Sequence, residues 1–203
     1  MSAYIVGLTG QTGAGKSTVS RFFSQLGLSV IDCDQVSREA AAPGTECLTQ
    51  IAQEFGDVLN PDQSLNRRAL GAIVFRAPAK LARLNEIIFP AIQARMAEKT
   101  SALERAGASI VVWDAPTLFE SGTDQLCDCI VSVIAPKTIR QKRIMERDGL
   151  SREMAENRMN AQKSETFFME HSNIIIENND GLSGLFEQSK KAVQKIQEGV
   201  NGY

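Results

Sequence analysis

The sequence predicts a three-layer α/β/α fold, in which helices cover both faces of a five-stranded parallel sheet. Five short apolar runs, rich in β-branched residues, alternate with helical patterns along the chain. Each run is continuously apolar instead of alternating, which is typical of parallel strands buried on both faces. The predicted strands are Tyr4–Leu8, Leu28–Asp32, Ile110–Trp113, Ile130–Ala135 and Asn173–Ile176.

Helical patterns occupy the intervals between these runs. The interval 34–106 carries no convincing strand, and turn-forming pairs such as Pro43-Gly44 and Ala77-Pro78 divide it into helices. We interpret this interval as a helical insertion on the sheet of a single domain. The predicted helices are Lys16–Leu26, Cys47–Phe55, Arg67–Phe75, Ala79–Leu103, Pro136–Arg147, Arg152–Lys163 and Leu182–Ile196.

Composition and charge are those of an ordinary globular chain. The 203 residues are 43% apolar and 23% charged, which excludes a disordered or disulfide-dense protein. A net charge of −2 argues against a chain built as a whole to bind nucleic acid or anionic lipid. No apolar run approaches the roughly 20 residues that cross a bilayer, and the first residues lack a signal-peptide pattern. We therefore expect a cytoplasmic protein without membrane or nucleic-acid partners, whose cysteines are buried or partly buried free thiols.

The strongest motif is the stretch GQTGAGKS at positions 10–17, which matches the phosphate-binding P-loop pattern. It follows a predicted strand and opens a predicted helix, which is the context that the motif requires. Glycines allow successive N–H groups to converge on phosphate oxygens, and the helix adds its positive N-terminal end. The predicted ATP-binding residues are Gly10, Gly13, Ala14, Gly15, Lys16, Ser17 and Thr18, with Lys16 reaching the β- and γ-phosphates.

Two oxygen ligands indicate a magnesium ion beside this loop. The Ser17 hydroxyl is the P-loop group that contacts Mg²⁺. Asp114 follows the apolar strand 110–113 and so lies at the carboxyl edge of the predicted sheet. We expect Asp114 to bind the ion directly or through water.

A small phosphotransferase explains the remaining features best. A regulatory GTPase would carry an Asn-Lys-x-Asp motif, and a motor ATPase would usually be larger; neither feature is found in this sequence. A phosphotransferase also needs an acceptor site and a means of excluding water from the γ-phosphate.

The acceptor site is predicted after the second strand. Asp32 and Asp34 stand two residues apart, so in extended backbone both carboxylates point the same way. One of them would deprotonate an acceptor hydroxyl, and Arg38 would hold an acceptor phosphate. An acidic loop that caps the following helix is an equally good explanation of the spacing.

A basic stretch over 137–163 is the predicted lid segment. It holds eight basic and four acidic residues, a net charge of +4. Arg140, Arg143 and Arg147 share one helix face and would neutralise charge on the transferred phosphoryl group. An RNA-binding patch is disfavoured because the segment lacks aromatic side chains for base stacking.

With these motifs in place, the chain resembles the dephospho-coenzyme A kinase family over nearly its whole length. The matching stretches are GLTG at 7–10 with the rest of the P-loop, Asp32-x-Asp34-x-x-x-Arg38, LNRRAL at 65–70 with Phe75, DAPTLFE at 114–120, Arg147-Asp148-Gly149 with Arg158 and Gln162, and Ile176-Glu177-Asn178.

The resemblance implies ATP-dependent phosphorylation of the ribose 3′-hydroxyl of dephospho-coenzyme A, the last step of coenzyme A synthesis. It implies a core (about 1–33, 107–136 and 164–203), an acceptor-binding insertion (about 34–106) and a lid (about 137–163). Asp34 would be the base, Asp32 and Arg68 would help bind the acceptor, and Arg140 and Arg143 would act on phosphates. The expected partners are ATP, Mg²⁺ and the acceptor, and the expected state is a monomer or weak homo-oligomer.

The sequence departs from the family pattern at a few positions. Phe89 stands where the family commonly has histidine, and His171 is not placed to take over that role. We expect His171 to be a surface or hydrogen-bonded residue. Another small-molecule kinase, such as one for nucleoside monophosphates, remains the main alternative, and a non-catalytic nucleotide-binding module is a second.

Overall fold

The computed structural model describes residues 2–179 and 181–201, and its centre is one five-stranded sheet. The strands are β1 (Tyr4–Gly10), β2 (Ser29–Asp32), β3 (Ile110–Asp114), β4 (Cys129–Ile134) and β5 (Ile174–Glu177), in the spatial order β2-β3-β1-β4-β5. The central strand β1 pairs in parallel with β3 and β4, and β4 pairs in parallel with β5. The predicted five-stranded α/β architecture is therefore confirmed.

Helices lie between the strands along the chain. They are α1 (Lys16–Gln25), α2 (Cys33–Ala40), α3 (Glu46–Phe55), α4 (Arg67–Val74), α5 (Pro78–Arg105), α6 (Lys137–Asp148), α7 (Arg152–Asn160), α8 (Glu165–Glu170) and α9 (Gly181–Asn201), with a 3₁₀ helix at Thr123–Leu126. Among the described residues, no helix is both long and apolar enough to span a membrane.

The first of two structural units runs through Ile31 and resumes at Leu103. It contains the sheet, whose core is built from β-branched side chains such as Val6, Val112 and Val131. Phe23 of α1 and Ile196 of α9 are fully buried against the same cluster. This apolar layer fixes where the strands end and therefore where the loops at their carboxyl edge lie.

The second unit spans Asp32–Ala102 and has a core of its own. Ile51, Leu70 and Ile88 belong to one buried cluster of helical side chains. Phe89, the residue that replaces the family's histidine, packs against this cluster. Its ring contributes apolar contact there and supplies no titratable group.

The structure decides between the two explanations of the Asp32 and Asp34 spacing and corrects the helices near residue 160. The helix cap is confirmed and the extended conformation does not occur, because α2 begins at Cys33 and the Asp32 carboxylate accepts a hydrogen bond from Gln35 N at 3.0 Å. The predicted helix Arg152–Lys163 ends earlier, at Asn160. A further short helix, α8, begins after the cap Ser164, where the sequence pattern predicted none.

Candidate active site

Three glycines shape the P-loop between β1 and α1. Gly13 and Gly15 adopt left-handed backbone conformations, with φ of 78° and 105°. A Cβ on Gly13 would come within 2.8 Å of the Arg140 carbonyl oxygen, and one on Gly10 would collide with the backbone of Val133. The loop therefore requires glycine for both conformation and space.

The loop presents backbone N–H groups that no protein group accepts. Within the described residues, the amides of Gly13, Gly15, Lys16 and Ser17 have no hydrogen-bond acceptor. Gly15 caps α1 without any side-chain hydrogen bond, so the positive end of this helix is also unsatisfied. Unpaired amides at a helix N-terminus form a binding site for an anion such as phosphate.

Lys16 and Asp114 form an ion pair beside the loop. The two side chains are only 15% and 12% exposed. The sheet register brings them together, because Asp114 at the end of β3 lies opposite Leu8 of β1. The structure thus unites the lysine and the acidic residue that the sequence placed at one edge of the sheet.

The predicted lid arginines differ in their surroundings. Arg143 of α6 donates from Nη1 to the carbonyl oxygens of Gly13 and Ala14, both at 3.3 Å. Arg140 is 7% exposed and donates from Nε to Ala135 O at 2.9 Å. Burial lowers the pKa of Arg140, although an arginine remains charged at neutral pH. The charge of Arg143 therefore lies at the P-loop, whereas Arg140 approaches Gly13 with its backbone.

A separate ion-pair cluster joins the end of α6 to α7. The Asp148 carboxylate accepts from Arg147 Nε at 2.7 Å and from Arg158 Nη1 at 2.7 Å. These arginines, Arg147 first, hold the pKa of Asp148 below its usual range. Arg147 thus points to an acidic partner and not to the loop, unlike Arg143.

The predicted acceptor residues Asp34 and Arg38 lie in the second unit. The Asp34 side chain lies in the first turn of α2 and makes no hydrogen bond or ion pair within the described residues. Arg38 stands one turn further along the same helix face. Burial and then repulsion from Arg38 lower the pKa of Arg67, and attraction to Asp34 opposes them. We call Asp34, Arg38 and Arg67 the acceptor cluster.

Sequence reasoning assigned no role to three residues of these sites, which appeared only inside the matching stretches. Arg67 is next to the predicted Arg68, and both are exposed in the first turn of α4. Gln162 accepts from the P-loop amide of Thr12 at 2.7 Å, and Asn178 donates to Ala14 O at 2.7 Å. The position of Asn178 just beyond β5 was a usable signal, because ligands bind at the carboxyl edge of parallel sheets.

His171 lies at the surface, as expected. His171 is exposed, its Nδ1 lies 2.9 Å from Phe167 O, and its ring stacks on that of Phe167 at 4.0 Å. The expectation of a hydrogen-bonded surface histidine is confirmed.

Known proteins match this chain along nearly its whole length. The family description "Dephospho-CoA kinase" matches residues 4–184. A dephospho-CoA kinase of Anaeromyxobacter dehalogenans is 36% identical over 196 residues, which are 96% of this chain and 93% of that protein.

Solved structures agree with the sequence match. A crystal structure from Thermus thermophilus has a TM-score of 0.85 at 31% identity and covers 96% of this chain and 98% of its own. The dephospho-CoA kinase of Campylobacter jejuni has a TM-score of 0.71 at 27% identity, with the same coverage. The chain therefore belongs to the dephospho-CoA kinase family, phosphotransferases that catalyse the final step of coenzyme A biosynthesis.

Proposed function

We propose that this chain transfers the γ-phosphoryl group of ATP to the ribose 3′-hydroxyl of dephospho-coenzyme A. The observation that carries the proposal is the set of unpaired P-loop amides at the start of α1, next to Lys16. This arrangement suits the phosphates of a nucleotide, and membership of the family supplies the acceptor.

On the nucleotide side, the phosphates would take the place of Asp114 as the partner of Lys16. The ammonium group then follows the negative charge that develops during transfer. Thr18 would contribute a further contact at the start of α1. Arg140 and Arg143 add positive charge from α6, and in this proposal they stabilise the transferred group while water is kept away.

Magnesium fits the donor set at this site. The Ser17 side chain is exposed in the first turn of α1, and an Asp114 released from Lys16 offers a carboxylate. Both supply the oxygen ligands that Mg²⁺ prefers, and the described residues contain no group of three acidic, histidine or cysteine side chains that would hold an ion alone. We propose that Ser17 and Asp114 hold the ion together with phosphate oxygens. The bound ion would neutralise phosphate charge.

On the acceptor side, Asp34 would be the base. Asp32 is already engaged as the cap of α2, whereas the Asp34 carboxylate has no partner within the described residues. In the proposed reaction, Asp34 takes the proton of the 3′-hydroxyl, the oxygen attacks the γ-phosphorus in line, and ADP leaves.

Arginines would bind the anionic part of the acceptor. Arg38 and Arg67 are like charges close enough to affect one another, and a bound phosphate would relieve their repulsion. Arg68 of α4 and the carboxylate of Asp32 complete the acceptor-binding set that we propose. The insertion 34–106 and the lid segment 137–163 would thus serve acceptor and phosphates respectively.

The test is the reaction itself. The purified chain is incubated with ATP, Mg²⁺ and dephospho-coenzyme A, and mass spectrometry follows the product. We expect coenzyme A together with an equal amount of ADP. A panel of nucleoside monophosphates serves as the control, and faster turnover of any of them would contradict the acceptor assignment.

Two further features belong to the proposal. We expect a cytoplasmic enzyme, since the four cysteines (Cys47 and Cys129 buried, Cys33 and Cys127 half-buried) form no disulfide, which suits a reducing compartment. We also expect a monomer or weak homo-oligomer that binds no nucleic acid, which light scattering and a labelled-RNA shift assay would check.

A further inference from the structure

The backbone carbonyl groups of the P-loop need hydrogen-bond donors, just as its backbone N–H groups need an anion. When successive N–H groups turn toward a phosphate, the carbonyl groups between them turn the other way, and buried carbonyls require hydrogen bonds. At Gly13 and Ala14 these donors come from side chains distant in sequence. Arg143 supplies one to each carbonyl, and Asn178 supplies a second to Ala14 at 2.7 Å.

Asn178 is built into this position from several directions. The residue is only 5% exposed, and its backbone N–H donates to Ile134 O at 2.9 Å. Its Oδ1 accepts from Arg143 Nη2 at 3.3 Å while its Nδ2 donates to Ala14 O. One amide side chain therefore links the end of β5, helix α6 and the P-loop.

The loop is also shaped to admit this amide. A Cβ on Gly15 would collide with Asn178 Nδ2, so the absence of a side chain at Gly15 makes room for it. Gly15 has a φ of 105° and carries one of the unpaired amides that face away from the carbonyl side. The fit between Gly15 and Asn178 thus lies directly behind the proposed phosphate site.

We infer that Asn178 is a positioning residue for ATP, which orients the P-loop amides through the Ala14 carbonyl and through Arg143. The inference deepens the proposed function, because it rests on the P-loop binding ATP. Only an amide side chain of this length both donates to Ala14 O and accepts from Arg143. An aspartate in this position would still accept from Arg143. It could not donate to Ala14 O, and its carboxylate oxygen would repel that carbonyl oxygen.

The experiment compares Asn178→Asp and Asn178→Ala with the wild-type enzyme and with the control Asn179→Ala. Asn179 is the adjacent residue, and its exposed side chain donates to the Glu177 carboxylate at 3.0 Å. Calorimetry measures the Kd for ATP without acceptor, steady-state kinetics measure KM for each substrate, and thermal melting reports the fold.

We expect both Asn178 variants to bind ATP about 10- to 100-fold more weakly, the cost of leaving a buried carbonyl and its charged neighbour unsatisfied. KM for the acceptor should stay within about two-fold, since the acceptor cluster is in the other unit. The Asp variant should be at least as impaired as the Ala variant despite its retained contact to Arg143. The control Asn179→Ala should match the wild type.

Other results would overturn the inference. A folded Asn178→Asp enzyme with wild-type affinity for ATP would show that the donor does not matter. Equal weakening for both substrates, or loss of folding in both variants, would assign Asn178 a purely structural role. Because ATP affinity is measured without acceptor, a wild-type chain that bound ATP but formed no coenzyme A would refute the proposed acceptor and leave this measurement valid.

Discussion

The nucleotide side and the proposed acceptor side of this protein differ in how far their charged groups are already paired. In the first unit, Lys16 is bound to Asp114, and Arg143 is bound to P-loop carbonyls. In the second unit, the charges of Arg38 and Asp34 shift the pKa of Arg67, but no hydrogen bond joins these three members of the acceptor cluster.

The two sides would therefore respond differently to their substrates. On the nucleotide side, the hydrogen bonds of Arg143 and Asn178 to P-loop carbonyls hold the loop in shape before ATP arrives. Binding then requires only that Lys16 exchange Asp114 for phosphate. On the acceptor side, Arg38 and Arg67 repel each other until an anion lies between them. Binding of the anionic acceptor would therefore remove this electrostatic repulsion. Substitutions on the two sides should therefore change different kinetic constants.

The largest effect is expected from Lys16→Ala on the nucleotide side. Removing the ammonium group that follows the developing charge should lower kcat by about 10²- to 10³-fold or more. Melting should show a folded enzyme, because the apolar core is unchanged, at a lowered melting temperature, because the mostly buried Asp114 carboxylate loses its partner. Lys195→Ala, an exposed lysine in α9, is the matched control. Normal turnover in Lys16→Ala would remove the P-loop from the mechanism.

The next largest effect separates the two acidic residues on the acceptor side. Asp34→Ala should reduce kcat at saturating acceptor by about 10²- to 10⁴-fold, as expected for the loss of a general base. Asp32→Ala should instead lower the free energy of unfolding by about 1 kcal/mol, because it removes the cap of α2. Urea denaturation and steady-state kinetics measure the two effects, and a reversed pattern would exchange their roles.

A smaller effect tests whether the acceptor arginines bind an anion. Arg38→Ala and Arg67→Ala should each raise KM for dephospho-coenzyme A by about ten-fold or more, since a charge-assisted hydrogen bond is lost. KM for ATP should remain unchanged in both variants. Arg76→Ala, an exposed arginine of the same unit, is the control. Equal increases in KM for ATP and for dephospho-coenzyme A would contradict the assignment of these arginines to the acceptor alone.

The smallest effect concerns buried thiols in the sheet unit and does not involve the reaction. Burial raises the pKa of Cys127 to about 12 and that of Cys129 to about 11. A thiol whose pKa is raised by folding stabilises the native state below its unfolded pKa, near 8.5, and loses this contribution as pH rises toward the folded value. The free energy of unfolding should thus fall between pH 9 and 11 by on the order of 1 kcal/mol per thiol.

Urea titrations at both pH values measure this fall. A double Cys127→Ala, Cys129→Ala variant should lose less stability than the wild type over that interval. Identical losses would show that the two thiols titrate normally in the folded chain.

The sequence predicted the nucleotide side best where the signal is local. The P-loop and Asp114 were identified because a motif, a strand and a helix start adjoin each other in the chain. The side-chain hydrogen bonds to the P-loop carbonyls were not predictable in this way. Asn178 and Ala14 are 164 positions apart in the sequence, and Arg143 and Gly13 are 130 apart. Their meeting depends on the order of strands in the sheet.

On the acceptor side, local reading was ambiguous. The spacing of Asp32 and Asp34 suits either two extended residues or a helix cap, and the cap prevailed because Asp32 satisfies an N–H that the first turn of α2 leaves unpaired. Three helices of the insertion, α3, α4 and α5, were predicted closely, because their apolar positions recur with helical period, whereas α2 was not among the predicted helices.

The most direct test of the central claim is a crystal structure with dephospho-coenzyme A and a non-hydrolysable ATP analogue. We predict phosphate oxygens on the amides of Gly13, Gly15, Lys16 and Ser17, and the acceptor's 3′-oxygen within about 2.6–3.2 Å of an Asp34 carboxylate oxygen. Phosphates bound away from these amides, or an Asp34 carboxylate facing some other part of the acceptor, would contradict the account.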